Sequence, residues 1–272
     1  MMIILSQTPC YNPCTMDIHS LLQSLAAGII QGITELLPIS SSGHLLLFSR
    51  ISHFDLGLTE IAVLHLGTLI SILIAFRDQI RESLNKVVLT NVLISAVPAG
   101  LIGFFFGDYI ERTFSAPAII VFSLFVWGIV MIFVDRKSKT STFTSKNLAE
   151  ITPLQSLVVG IAQVLALIPG TSRSGITTIS GIVAGIDPQT ALSFSFVAGI
   201  PLLGATGVLS LYTEVSQHST TLPEITLATI TAAVVGIAAA YVFRAIIKRG
   251  ILTYAGIYRI IIGIVIFLSI LD

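Results

Sequence analysis

Two stretches of this 272-residue sequence carry side chains suited to phosphate chemistry. The first runs Gln31-Gly-Ile-Thr-Glu35-Leu-Leu-Pro38-Ile-Ser40-Ser41-Ser42-Gly43-His44. Gln31 and Glu35 are four residues apart and share a helix face. Glu35 stands among apolar residues, where a carboxylate is costly and therefore a functional candidate; the competing reading puts it at a water-exposed helix end. The serines and Gly43 should lead into a new helix, whose free N–H groups and partial positive charge suit an anion. Capping that helix would need one serine, not three. His44 follows in the first helical turn. A lone histidine is usually structural, but closeness to Glu35 and the serines favours a catalytic one.

The second stretch is Gly160-Ile-Ala-Gln163-Val-Leu-Ala-Leu-Ile-Pro169-Gly170-Thr171-Ser172-Arg173-Ser174-Gly175-Ile-Thr177. Arg173 is the one basic residue between Lys146 and Arg244. Its guanidinium can hold two phosphate oxygens as a fork. Thr171, Ser172 and Ser174 add hydroxyls, and another helix start is expected near Gly175. Together the stretches supply a carboxylate, an imidazole, a guanidinium, two helix N-termini and several hydroxyls. That set fits a diphosphate: the cationic and dipolar groups hold the anion, and a hydroxyl or imidazole attacks it. The carboxylate holds a metal or accepts a proton.

The elements that position these residues are membrane helices. Hydrophobic residues make up 54% of the chain and charged residues 10%, against about 25% charged in soluble domains. So few charges cannot coat a water-facing surface. Spans are expected at about 59–76, 88–106, 116–134, 188–211, 224–243 and 253–271, each long enough to cross about 30 Å of hydrocarbon. Ten of the fourteen basic residues fall in three short loops: Arg77, Arg81 and Lys86; Arg136, Lys137, Lys139 and Lys146; Arg244, Lys248 and Arg249. The positive-inside rule places all three in the cytoplasm. Segment 153–186 must then enter and leave on one side, as a re-entrant helix–loop–helix, and irregular backbone at that depth must line a cavity. The same logic makes 18–53 re-entrant from the outside. Both segments read Gly-Ile-x-Gln, apolar residues, Pro-x-Ser/Thr-Ser, then Gly, with a one-residue gap. Entering from opposite sides, they form an inverted repeat, with a site expected where the broken helices meet.

The expected fold is therefore an all-α polytopic membrane protein: six transmembrane helices plus two re-entrant helix-loop-helix segments in an inverted repeat. Residues 1–15 read as an N-terminal extension without the basic start and apolar core of a signal peptide. Cys10 and Cys14 in it have no nearby partner to complete a metal site. Residues 16–272 form one membrane-embedded domain with repeat halves of about 16–135 and 150–272. A formal net charge of zero gives nucleic acid no electrostatic foothold.

The two motifs resemble those of the undecaprenyl-diphosphate phosphatases of the bacitracin-resistance family, from Met16 to Leu271. Its most specific parts are Gln31 to Glu35 with Leu37 to His44, and Pro169 to Thr177. Weaker echoes are Leu66-Gly-Thr-Leu69, Ser193 to Phe196 with Pro201, and Tyr258-Arg259 before Gly263. The family's acidic motif is Glu or Gln, three residues, then Glu; this chain has the Gln form, so a two-carboxylate metal site does not follow. The resemblance implies hydrolysis of a polyprenyl diphosphate to the monophosphate and phosphate, which recycles the carrier for cell-wall polymers. It also implies a divalent cation (Mg2+ or Ca2+), the bacterial cytoplasmic membrane, a site open to the outer face, and bacitracin tolerance. By that resemblance Glu35 binds metal or activates the nucleophile, with Gln31 a second candidate ligand. Ser41 is the first choice of nucleophile and His44 its base, or His44 is itself the nucleophile. Arg173 stabilises phosphate charge; Gln31, Ser40, Ser42, Thr171, Ser172, Ser174 and Thr177 complete the substrate cradle. Expected partners are the lipid substrate, the bilayer and a second copy of the chain as a homodimer. The rival is a polyprenyl-phosphate transporter, which would use the same cradle but need no nucleophile.

Overall fold

Apolar runs of this length satisfy their backbone polar groups internally as helices, and helices are the regular elements that the computed structural model holds in its described residues, 17–54, 56–217, 222–246 and 251–271, beside one isolated bridge between Ser145 and Ile186. The N-terminal extension with Cys10 and Cys14, and the third basic loop at Lys248 and Arg249, lie outside these residues, as does the Arg244 side chain. Helices α1 (Ile18–Thr34) and α2 (Ser41–Ser52) form the first broken pair. Helix α3 (Leu58–Ala75) follows, then the short α4 (Arg77–Ser83), α5 (Lys86–Phe114) and α6 (Pro117–Ser138). A one-turn 3-10 helix at Leu148–Glu150 leads to α7 (Pro153–Gln163), which runs through 3-10 backbone at Val164–Leu167 into the second break and α8 (Arg173–Val183). The chain ends with α9 (Pro188–Ser216), α10 (Leu222–Ile246) and α11 (Ile251–Leu271).

Among the described residues five helices are long and apolar enough to span a bilayer, and α3 with α4, bent by 84° between them, makes a sixth if the pair counts as one span. The chain is thus a polytopic membrane protein. Helices lie at all six expected positions, five of them long and apolar enough by themselves, but α5 and α9 each run to 29 residues, or about 43 Å. They overshoot the hydrocarbon and end in polar residues such as Asp108, Glu111 and Glu214. Bulky apolar side chains such as Phe105, Phe122, Phe133, Val208 and Leu268 point outward, while Thr68, Ser71, Asn91, Ser95 and Arg259 are buried. That inversion suits a surface solvated by lipid.

Small residues let the helices close. On α1, a Cβ at Gly28 or Gly32 would strike the α10 carbonyls of Ala228 or Ala232, and at Gly67 on α3 it would strike the Thr229 carbonyl. Gly160 on α7 stands in the same way against Ser95 of α5. α6 and α11 cross where Gly128 and Gly256 each face the other's carbonyl. The partnerships therefore exchange: α1 packs on α10 as α7 packs on α5, while α3 pairs with α9 and α6 with α11. The second helices of the two broken pairs are not equal in burial. α8 is buried from Ser174 to Ile182, whereas α2 buries only Ser41, Gly43, Leu45 and Leu47.

The first two basic loops share one end. α4 packs on the 3-10 turn at Leu148–Glu150, which also touches the starts of α5 and α9. The Lys146 carbonyl accepts from Thr190 at 2.8 Å, and Asp135 near the end of α6 accepts from Thr253 at the start of α11 at 2.5 Å. Close packing at the glycine contacts predicts that Gly67→Leu destabilises the protein by about 1–3 kcal/mol. Gly107 has nothing within 4 Å of its Cβ position, so Gly107→Ala should leave the melting temperature in detergent unchanged or higher.

Candidate active site

Glu35 caps α1, and its N–H donates to the Gln31 carbonyl at 3.0 Å. The carboxylate therefore sits at the negative end of the α1 dipole, 7% exposed, and needs compensation from elsewhere. That compensation comes from the starts of the next helix in each half. Ser41, first residue of α2, donates to Glu35 Oε2 at 2.7 Å. Arg173, first residue of α8, donates to Oε1 at 3.0 Å. His65 Nε2 lies 3.3 Å from Oε2, and the Gln31 amide donates to it at 3.4 Å.

The breaks share a local geometry. Ser40 and Ser172 are the N-caps, with φ of 72° and 67°, a left-handed conformation that L residues seldom adopt. Each hydroxyl accepts from the glycine N–H three residues on, Gly43 at 3.4 Å and Gly175 at 3.3 Å. Each also touches the serine two residues on, Ser42 at 3.2 Å and Ser174 at 3.4 Å. The helices start at Ser41 and Arg173, two residues earlier than Gly43 and Gly175, because these caps take up the turn. The breaks also bond to each other: Gly170 N–H donates to Ser42 Oγ at 3.3 Å, and Ser174 Oγ to the Leu37 carbonyl at 3.5 Å.

A cavity of about 520 Å³ opens on this cluster. Glu35, Ser40, Ser41, Ser42, Ser172, Arg173 and Ser174 line it, joined by His65 and Gln163. Its walls are apolar, with Gly100, Gly103 and Phe104 from α5 and Leu202 and Leu209 from α9. It extends to Asp108 and Glu111 at the end of α5 and Thr59 at the start of α3, away from the basic end.

Other candidate residues lie behind the wall. Gln31 is fully buried and its Oε1 has no hydrogen-bond partner. Thr171 is buried with an unpartnered hydroxyl. Thr177 Oγ1 lies 2.7 Å from the Arg173 carbonyl and 2.7 Å from Ser195 Oγ, so it braces the start of α8. His44 does not join Glu35 and Arg173. Its Nδ1 is 2.8 Å from the Ser40 carbonyl and its Nε2 is 2.8 Å from the Tyr258 hydroxyl. These bonds draw the imidazole toward α11, where it stacks on Tyr258.

Sequence reasoning missed His65, Ser195 and Gly199. His65 is an ionisable residue inside an apolar span, a signal that could have flagged it. Ser195 acts through its carbonyl, which accepts from Arg173 at 3.0 Å, and a carbonyl leaves no trace in residue type. Gly199 makes room for the guanidinium, which a Cβ there would overlap.

The fold and site define a polytopic helical membrane protein with an anion-suited polar cluster at the floor of an apolar-walled cavity. Residues 24–265 match the family described as Bacitracin resistance protein BacA, and the chain belongs to that family. It is 36% identical over 246 residues to an undecaprenyl-diphosphatase of Thermotoga maritima, covering 90% of this chain and 99% of that one. It is 35% identical to the Bordetella avium undecaprenyl-diphosphatase, covering 88% and 93%. Undecaprenyl-diphosphatase 1 of Shouchella clausii is 32% identical, covering 92% and 96%.

If Gly199 is the space that admits the Arg173 side chain, Gly199→Ala should displace the guanidinium from Glu35. Misplacement on the scale of 1 Å costs roughly a hundredfold in rate. Turnover of phosphate release should fall by that order while Gly204→Ala, on the same helix with its nearest neighbour 3.6 Å away, stays near the parent rate.

Proposed function

We propose that this chain hydrolyses undecaprenyl diphosphate to the monophosphate and inorganic phosphate on the cluster of Glu35, Ser41 and Arg173. The family match and the named relatives support the reaction. The observation that carries the site is the pairing of one buried carboxylate with Ser41 and Arg173, the first residues of two helices, on a cavity wall. Two helix N-termini and a guanidinium draw the diphosphate in, and the apolar wall receives the first part of the prenyl chain.

Ser41 is the nucleophile in this reading. Its O–H already donates to Glu35, which takes the proton as Oγ attacks the terminal phosphorus. The bridging P–O bond breaks, the prenyl monophosphate departs, and water releases phosphate from the serine. Arg173 stabilises charge on the transferring group. Gln163, on the cavity wall, donates to the Ser95 carbonyl at 2.9 Å and keeps its carbonyl oxygen free of partners.

Among the described residues no group of three or more His, Cys, Asp or Glu is arranged for a metal. The residues fit a cation held mainly by substrate, because Mg2+ commonly takes one or two protein carboxylates and completes its shell with phosphate and water oxygens. Glu35, which lines the cavity, would hold it. Bound there, it would neutralise diphosphate charge.

The broken pairs α1–α2 and α7–α8 are read as re-entrant segments of an inverted repeat. Support comes from helix length, since α2 and α8 have 12 and 11 residues and reach only about 18 Å and 17 Å, from the matched left-handed caps, and from the exchanged packing partners. With the basic end in the cytoplasm, the cavity opens to the outer face of the cytoplasmic membrane. Inverted repeats are also a transporter architecture, but a serine hydroxyl held on a carboxylate has a use in hydrolysis that it lacks in transport.

Protein purified in detergent should release phosphate from undecaprenyl diphosphate. Glu35→Gln and Arg173→Lys should each lower the rate roughly a hundredfold or more in protein that still folds, though at a lower melting temperature because a buried ion pair is weakened, and Ser41→Ala should abolish phosphoserine formation. Parent rates in both charge variants would refute the site. Loss of activity in chelator, restored by Mg2+ or Ca2+, is the result expected for the cation.

A further inference from the structure

We propose that the adjacent residues Tyr258 and Arg259 of α11 clamp the two helix breaks in register, and that His44 is a positioning residue within this clamp rather than a group acting on phosphate. The proposal rests on the reading of Glu35, Ser41 and Arg173 as the reacting cluster.

The hydrogen bonds close a ring. Tyr258 holds His44 Nε2 at 2.8 Å, and His44 Nδ1 donates to the Ser40 carbonyl at 2.8 Å. Ser40 Oγ touches Ser42 Oγ at 3.2 Å, and Ser42 Oγ accepts from Gly170 N–H at 3.3 Å. The Gly170 carbonyl accepts from Arg259 at 2.6 Å, which returns the ring to α11 one residue from its start. Each break is thereby tied to the other and to one rigid helix. Neither Tyr258 nor Arg259 lines the cavity, so any effect on catalysis passes through the breaks.

His44 has no lone pair to spare in this arrangement. A carbonyl can only accept, so Nδ1 carries the proton facing Ser40. In the neutral imidazole Nε2 is then the acceptor, and the tyrosine O–H fills it. A base or nucleophile needs that lone pair free.

Arg259 is a fully buried cation. Among the described residues no carboxylate pairs with it, and its Nε and NH1 have no partner. Its contacts are the Gly170 carbonyl and, at 3.4 Å, the Ser123 carbonyl. Burying a charge on two carbonyls is expensive, and a packed leucine would be cheaper if stability alone mattered. What the arginine fixes is Gly170, at a φ of +90° where a Cβ would run into the Ile120 carbonyl. Arg173 follows three residues later, so the Gly170 carbonyl sets where the guanidinium meets Glu35.

The test measures kcat, KM and the pH–rate profile of phosphate release by the full-length protein in detergent. Tyr258→Phe removes one hydroxyl from a partly exposed residue and should not disturb folding. It should lower kcat about tenfold or more while KM and the shape of the pH profile hold. His44→Gln should lower kcat at least as far, again with the pH profile unchanged. Adding Tyr258→Phe to His44→Gln should cost nothing further, because members of one network are not additive. Arg259→Lys, which can still reach the Gly170 carbonyl, should retain more activity than Arg259→Leu at equal melting temperature.

Three results would each overturn the clamp: parent kcat in Tyr258→Phe beside an inactive His44→Gln, fully additive losses in the double variant, or a limb of the pH profile lost with His44. Failure of the underlying site reads out separately, as parent rates in Glu35→Gln and Arg173→Lys.

Discussion

A carboxylate in hydrocarbon, placed where a helix runs out, is repelled by its own helix and stripped of water. The protein answers with groups from several other places, and much of the architecture follows from bringing them there. Ser41 and Arg173 reach Glu35 because each opens a helix that begins inside the protein. For two helices to begin at that depth, two others must stop there, which requires the breaks, the strained serine caps and the bonds between the breaks. Removing any one support leaves a buried charge whose cost is several kcal/mol, so these features stand or fall together.

Read as an inverted repeat, the two breaks account for the economy of the site. Ser41 and Arg173 are the same position in two copies of one motif, with the same cap geometry before them. A hydroxyl at one break and a guanidinium at the other make two like caps chemically unlike: in the proposed reaction one attacks and the other holds charge. Burial follows the same division. α8, which carries the charge-holding group, is enclosed along its length, while α2 packs on one side only.

The spans and both motifs were legible in the sequence because hydropathy and residue type report them directly. Glu35, Ser41 and Arg173 could be singled out for the same reason: each is an expensive or unusual choice in its setting. What the sequence hid was direction. The placing of His44 beside Glu35 assumed that nearness along the chain meant nearness of side chains, but the Ser40 carbonyl and Tyr258 draw its ring toward α11. Nothing in the motif announces that α11 passes there. Gly199 and the Ser195 carbonyl were hidden for a different reason, since one contributes an absence of atoms and the other a backbone group. The 3-10 stretch before the second break and the bend after α3 were likewise unseen, because a change in helix pitch or direction needs no change in polarity.

The 84° bend between α3 and α4 limits how the protein can ride in the bilayer. α3 carries His65 to the cavity, and at the far side of the bend Arg77 and Arg81 are exposed on a helix turned nearly at right angles. Sliding α3 along the membrane normal would drag both guanidinium groups into hydrocarbon. On the proposed placement of this end in the cytoplasm, the short crosswise helix would lie like a float at the headgroup level and set how deep the cavity sits.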